Sequence, residues 1–237
     1  VNISAAQLGF KELNEKIKST MEDVCVSGCY GQRFIGSGAS SGKSITINGT
    51  PGNALGAYLD GALIQVNGNV QDAVGDTMND GKIIVNGNAG DALGYSMRGG
   101  SIFVKGNAGY RTGIHMKEYK NKRPVIVIGG SVGSFLGEYL AGGIIVVLGI
   151  GAEGVPVGHF TGTGMHGGRI YIRTNTDISA LPAQVIAEEA TTDELKEIEE
   201  YFSEFTEHFG MDGFTNDRFL LLKPNTKNPY KRLYTVN

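Results

Sequence analysis

Apolar residues in this chain come in pairs two positions apart, and the pairs recur at a nearly fixed interval. Val24, Ile45, Ile64, Ile83, Ile102, Ile126 and Ile145 form one series, and Val26, Ile47, Val66, Val85, Val104, Ile128 and Val147 the second. Two residues further on stand Gly28, Gly49, Gly68, Gly87, Gly106, Gly130 and Gly149, at spacings of 21, 19, 19, 19, 24 and 19 residues. Side chains two apart lie on one face of a strand, so each pair marks a short β-strand with an apolar face, and the interval marks a repeat. Gly168 to Arg173, with Ile170 and Ile172, repeats the pattern an eighth time after a longer insertion.

Further columns share the period. Gly31, Gly52, Gly90, Gly109 and Gly133 follow the reference glycine by three residues, and Gly56, Gly75, Gly94, Gly113 and Gly137 by seven. Leu59, Met78, Met97, Met116 and Leu140 form an apolar column ten after it, matched by Met165. Glycine turns the corners, where a positive φ or a close backbone approach excludes a side chain. One coil of about 19 residues cannot bury its own apolar face, so coils must stack at the ~4.8 Å spacing of a sheet, giving a column about 35 Å long. The competing reading, hairpins turning at Asn67-Gly68 and Asn86-Gly87, would place strand pairs at half the observed period. The pattern therefore predicts an all-β core: a right-handed, single-stranded parallel β-helix of about seven to eight coils over residues 24–174.

The flanks, 1–23 and 175–237, read as short helical caps. Phe10, Leu13, Ile17 and Met21 have helical spacing, with Ser4 as a candidate cap. Thr191 to Phe209 reads as one helix that opens on a Thr191/Glu194 capping box and carries Leu195, Ile198, Phe202 and Phe205 on one side. Phe219 to Lys223 reads as a strand before a tail with Pro224, Pro229 and Tyr230.

Composition narrows the function classes. There are 37 glycines and no Trp, and the net charge is −3. No basic field favours nucleic acid, and Gly142 to Gly151 is too short an apolar run to span a bilayer. No leader pattern opens the chain, so the expected location is cytoplasmic. Two cysteines, Cys25 and Cys29, make neither a disulfide framework nor a four-ligand zinc site.

Candidate chemistry is sparse. Gly149-Ile150-Gly151-Ala152-Glu153-Gly154 spells a dinucleotide fingerprint after a strand, but Val155-Pro156-Val157-Gly158 does not open the helix that pyrophosphate binding needs. Asp72 and Asp91 should stack one coil apart, as in solenoid lyases or calcium sites, with Arg98 and Arg111 able to neutralise them. His115, His159 and His166 fall in different coils. The expectation is no catalytic, cofactor-binding or metal residue on this chain. The outward series Cys25, Thr46, Gln65, Ile84, Phe103, Val127, Val146, Tyr171 turns apolar halfway, so the C-terminal helix or a partner should cover it. The insertions Lys117 to Arg123 and Ile150 to Gly164 project from that same half.

Gly81 to Gly90 (GKIIVNGNAG), Arg98 to Gly109 (RGGSIFVKGNAG), Gly137 to Gly149 (GEYLAGGIIVVLG), Gly164 to Arg173 (GMHGGRIYIR) and Phe219 to Tyr234 (FLLLKPNTKNPYKRLY) carry a resemblance. The chain resembles the C-terminal GXGXG domain of the glutamate synthase large subunit, in its stand-alone archaeal and bacterial form. That resemblance implies a non-catalytic scaffold in a complex that converts glutamine and 2-oxoglutarate to glutamate. Its partners would be a glutamine amidotransferase and a synthase subunit holding FMN and an iron–sulfur cluster, with no cofactor on this chain. A homo-oligomer is also compatible. The alternative scaffold is the similar solenoid of formylmethanofuran dehydrogenase, a molybdenum or tungsten complex, where the resemblance covers the repeats alone. An independent solenoid enzyme such as a polysaccharide lyase is a further class, and it would need a row of Arg, Lys and Asp on one outer face.

Overall fold

Parallel strands stacked one coil apart are what the paired Ile/Val columns require, and the computed structural model, which describes residues 1–214 and 216–225, is built that way. Eight rungs follow one another in chain order: β2 (Val24–Tyr30), β3 (Ser44–Thr50), β4 (Asp60–Asn67), β5 (Asp80–Val85), β6 (Ser101–Val104), β7 (Val125–Ile128), β8 (Ala141–Val147) and β9 (Gly167–Arg173). Val24, Ile45, Ile64, Ile83, Ile102, Ile126, Ile145 and Ile170 are register partners in succession, so like lies on like along the stack. Each pair is parallel and a full coil apart, which excludes the hairpin reading. The chain is a β-solenoid of about seven turns.

Its interior is apolar. The two Ile/Val series are at most 2% exposed, and Leu59, Met78, Met97, Met116, Leu140 and Met165 are fully buried with them. At about 25 cal/mol per Å² of apolar surface, this continuous core is the main term holding the coils together.

The corner opposite the strands alternates in hand. In one coil Ala73, Gly75 and Thr77 have φ of 56°, 68° and 52°, and Ala54/Gly56/Tyr58, Ala92/Gly94/Ser96, Arg111/Gly113/His115 and Phe135/Gly137/Tyr139 repeat the triplet. Only the middle member must be glycine. A Cβ on Gly56, Gly75, Gly94, Gly113 or Gly137 would lie within 2.7 Å of the Cδ1 of Ile83, Ile102, Ile126, Ile145 or Ile170 respectively. The outer members of these triplets carry side chains from Ala to Phe and Arg, at the ~1–2 kcal/mol cost of left-handed backbone.

The N-terminal flank differs from the sequence reading. Ser4 caps no helix, because β1 (Asn2–Ser4) is extended and adds a parallel rung, pairing Ser4 with Ser27. Helix α1 (Phe10–Lys18) starts after Gly9 with no side-chain cap, and buries Leu13 and Ile17. Met21 lies beyond its end and is 92% exposed. The helix stops where Lys43 Nζ donates to the carbonyls of Ile17, Thr20 and Glu22 at 3.1, 2.6 and 2.9 Å.

At the other end β11 (Phe219–Pro224) pairs antiparallel with β9, and β10 (Val185–Glu189), which the sequence reading lacked, pairs antiparallel with β11. The single expected helix is two, α2 (Thr192–Lys196) and α3 (Glu199–Phe209), broken at Ile198, whose φ of −112° and ψ of 2° leave the helix. The capping box at Thr191 and Glu194 is present. Helix α3 lies on the outward apolar column: Phe103, Val127, Val146 and Tyr171 are fully buried against Ile198, Phe202, Phe205 and Phe219. The chain therefore covers its own later coils. Residues 226–234 of the tail lie outside the described residues.

Candidate functional site

Stacked polar columns on the coils turn out to be fasteners. Asp72 Oδ1 accepts the backbone N–H of Asp91 at 2.9 Å, and Asp91 Oδ1 accepts that of Tyr110 at 2.8 Å. Asn69, Asn88 and Asn107 repeat the arrangement, accepting from Asn88, Asn107 and Ser131 at 2.8, 2.8 and 2.7 Å. On the outer sheet face Asn86 Nδ2 donates to Asn67 Oδ1 and Asn67 Nδ2 to Asn48 Oδ1, an amide ladder that ends at the Cys25 sulfur. Two successive carboxylates and three successive amide oxygens are thus each held by a main-chain donor of the next coil. Arg111 turns to Glu138 at 3.0 Å.

The remaining sequence candidates do not converge. His115 stacks on Tyr139 with centroids 5.0 Å apart, His159 lies edge-on to Phe160, and His166 Nδ1 is 3.1 Å from the Gly164 carbonyl. Among the described residues no three His, Cys, Asp or Glu side chains gather as a metal site. Cys29 is buried, and burial pushes its thiol up to about 11, away from the thiolate that metal or nucleophilic chemistry needs. After Gly149 the chain turns, and Pro156 packs its ring toward that glycine while its carbonyl accepts the Val132 N–H at 2.8 Å. No helix opens toward the Gly149–Gly154 segment.

The Lys117–Arg123 insertion straps the coils. Lys122 Nζ reaches back to Asp80 at 2.8 Å and Asp60 at 3.6 Å, and Arg123 pairs with Glu118 and, at 2.9 Å, with Glu197. Glu197 sits at the α2–α3 break and also binds Arg169 and the Tyr171 hydroxyl, the latter at 2.9 Å. Burial raises its carboxyl pKa, but hydrogen bonds from Tyr171 and Arg169 outweigh this and hold it below the usual range. Sequence spacing could not show this cluster, because its members come from three separate segments.

Two cavities flank these features. One of about 460 Å³ lies between α1 and residues 36–43, where Lys43 is already committed to the α1 carbonyls. A polar one of about 280 Å³ lies beside Arg173 and Arg218, whose guanidinium groups are held by Asp217, and by Asp177 and Glu189. Lys18 also lines the first cavity.

Exposed rings concentrate instead on the alternating corner. Phe135 and Phe160 stack at 5.0 Å, Arg111 lies over Phe135 at 5.1 Å, and His115 stacks on Tyr139 while meeting Tyr95 edge-on. Tyr58 and Phe160 are 57% and 58% exposed. The sequence reading singled out Arg111 and His115 for other reasons but not Tyr58, Phe135 or Phe160; alignment of the positions either side of the third glycine column would have shown them.

Comparison with known proteins agrees with this architecture. A family model described as the GXGXG motif matches residues 11–220, the solenoid together with α2, α3 and the start of β11. An uncharacterized protein of Methanocaldococcus jannaschii is 42% identical over 252 residues, covering 99% of this chain and 96% of its own length.

Proposed function

This chain belongs to the GXGXG motif family, that of the glutamate synthase C-terminal domain, and from that premise we propose that it is a scaffold subunit of a glutamate synthase-type complex. In this reading it positions a glutamine amidotransferase subunit against a synthase subunit that holds FMN and an iron–sulfur cluster, and it takes no part in the chemistry. The carrying observation is that the family match spans residues 11–220, so it includes the cover as well as the repeats.

The chain's own chemistry supports the reading. Coil-facing carboxylates and amides are occupied by main-chain donors or by each other, which makes the stack stiff. Stiffness is what a spacer between two active sites must supply. The cysteines do not suit a cluster, since Cys29 is buried with a raised pKa and Cys25 points to an amide ladder.

A pull-down of the tagged chain from its native cells tests this, with mass spectrometry of the partners and an absorbance spectrum of the eluate. Co-elution of an amidotransferase and a yellow-brown flavin and iron–sulfur chain is expected. Molybdopterin subunits, or a colourless chain without either partner, would overturn the proposal.

A further inference from the structure

The alternating corner presents side chains at the two outer positions of each triplet, and their sizes change abruptly along the stack. Five residues after the reference glycine the column reads Ala54, Ala73, Ala92 and then Arg111, Phe135, with Phe160 in the equivalent place of the last coil. Phe34 heads this column in the first coil, where it packs near Phe10 of α1; in the six coils that follow, three small residues are succeeded by three large ones. The other column reads Tyr58, Thr77, Ser96, then His115, Tyr139, Gly164.

Successive coils on this face are locked at one spacing by main-chain bonds. Ala54, Ala73, Ala92, Arg111 and Phe135 N–H groups donate to Asp72, Asp91, Tyr110, Ser134 and His159 carbonyls at 2.8–3.0 Å. Such a face can be turned over on itself in register. Consider a two-fold axis crossing the stack between the Ala92 and Arg111 coils, so that two copies meet antiparallel with like column on like column. Phe160 then falls opposite Ala54, Phe135 opposite Ala73, and Arg111 opposite Ala92. In the second column Tyr58 falls opposite Gly164, Tyr139 opposite Thr77, and His115 opposite Ser96. Within these two columns every large side chain meets a small one, while the column between them sets Tyr95 opposite Ile114. Polar groups also complement each other: Asp91, in no ion pair among the described residues, falls opposite the Tyr110 hydroxyl, and Asn53 opposite His159.

We infer that this face is the two-fold interface of a homodimer. Large side chains at left-handed positions are strained, and the ring contacts of Phe135 and Phe160 within the described monomer are to each other, to Arg111 and to the edge of His159. A second copy gives that strain a return, and aromatic residues with Arg are the usual anchors of such contacts. Six coils span about 24 Å at the sheet spacing. With both columns this buries about 1,000 Å² in total, the low end for a specific interface, so a dimer that dissociates on dilution is expected. The inference is independent of the scaffold role.

Sedimentation or light scattering of the full chain, from micromolar to about 0.5 mM, reads the outcome as a mass of 25.1 kDa rising to about 50 kDa. Phe135→Ala should shift the midpoint at least about tenfold toward monomer with little change in the melting curve. The swap A73F/F135A exchanges knob and hole within each pair and should restore association. That restoration separates a matched interface from general stickiness. A monomer throughout the concentration range, or a dimer unmoved by Phe135→Ala and Phe160→Ala, overturns the inference. So does a monomer whose Phe135→Ala variant loses a different subunit in the pull-down, which would give the face to that subunit.

Discussion

Gly75→Ala tests the account of the corners most directly. The added Cβ would lie 2.5 Å from Ile102 Cδ1, with Ile102 Cγ1 at 3.6 Å and Ile83 Cδ1 at 3.7 Å. Two costs add. Alanine at φ 68° loses ~1–2 kcal/mol to left-handed backbone, and forcing a methyl into a packed core costs ~1–3 kcal/mol. The expected destabilisation is about 2–5 kcal/mol in equilibrium urea unfolding. Ile102→Val removes the atom in the way, at its own cost of about 0.5–1.5 kcal/mol. G75A/I102V should therefore be less unstable than the sum of the two single variants by about 1–3 kcal/mol. Ala73→Gly, two residues away at φ 56°, should be close to neutral, since relief of left-handed strain offsets the entropy of glycine. Strict additivity of Gly75→Ala and Ile102→Val would refute the argument, because the clash would then not be the cause.

The fastener reading of the stacked carboxylates predicts that Asp91→Asn, which keeps the Oδ1 acceptor, leaves stability within about 0.5 kcal/mol, while Asp91→Ala costs about 1 kcal/mol; calcium should not change the melting of either. Glu197→Gln strips charge from the Arg123, Arg169 and Tyr171 cluster and should lower stability by about 1–3 kcal/mol, read by urea unfolding. His208 has its folded pKa lowered from 6.5 by burial, and secondarily by Lys82, and its buried Nε2 has no hydrogen-bond partner among the described residues. Its unfolded form takes the proton first, so stability should fall as pH drops below about 6.5 toward the folded pKa, and His208→Phe should flatten that slope. Phe205→Ala empties the centre of the outer core and should cost about 3–5 kcal/mol, with dye binding to the uncovered face of β6 to β8.

The solenoid was legible because its rules are periodic. An inward Ile or Val at fixed phase in every coil has one explanation, and the Met column followed from the same count. Other features failed for local reasons. Strand β1 is three residues with no period of its own, and exists because β2 leaves an open edge. Leu195, Ile198, Phe202 and Phe205 keep helical spacing through the α2–α3 break, so only the tie of Glu197 to Arg123 and Arg169 shows where the helix divides. The outer left-handed positions were hidden because Arg111, Phe135 and Tyr139 are residues that a turn reading does not expect at positive φ. Stacked Asp72 and Asp91 were visible as a pair, but what they accept is main chain, which carries no signature in side-chain identity.

From β3 to β6 the coils repeat every 19 residues with no change of register in the Ile/Val columns. Such a stack is a gauge whose graduations are single coils. Removing one whole repeat would shorten the molecule by about 4.8 Å while leaving both ends, their strands and their caps unaltered. Distance between whatever is mounted at the two ends is therefore written in the number of repeats rather than in the identity of any residue, and it can change only in steps of one coil.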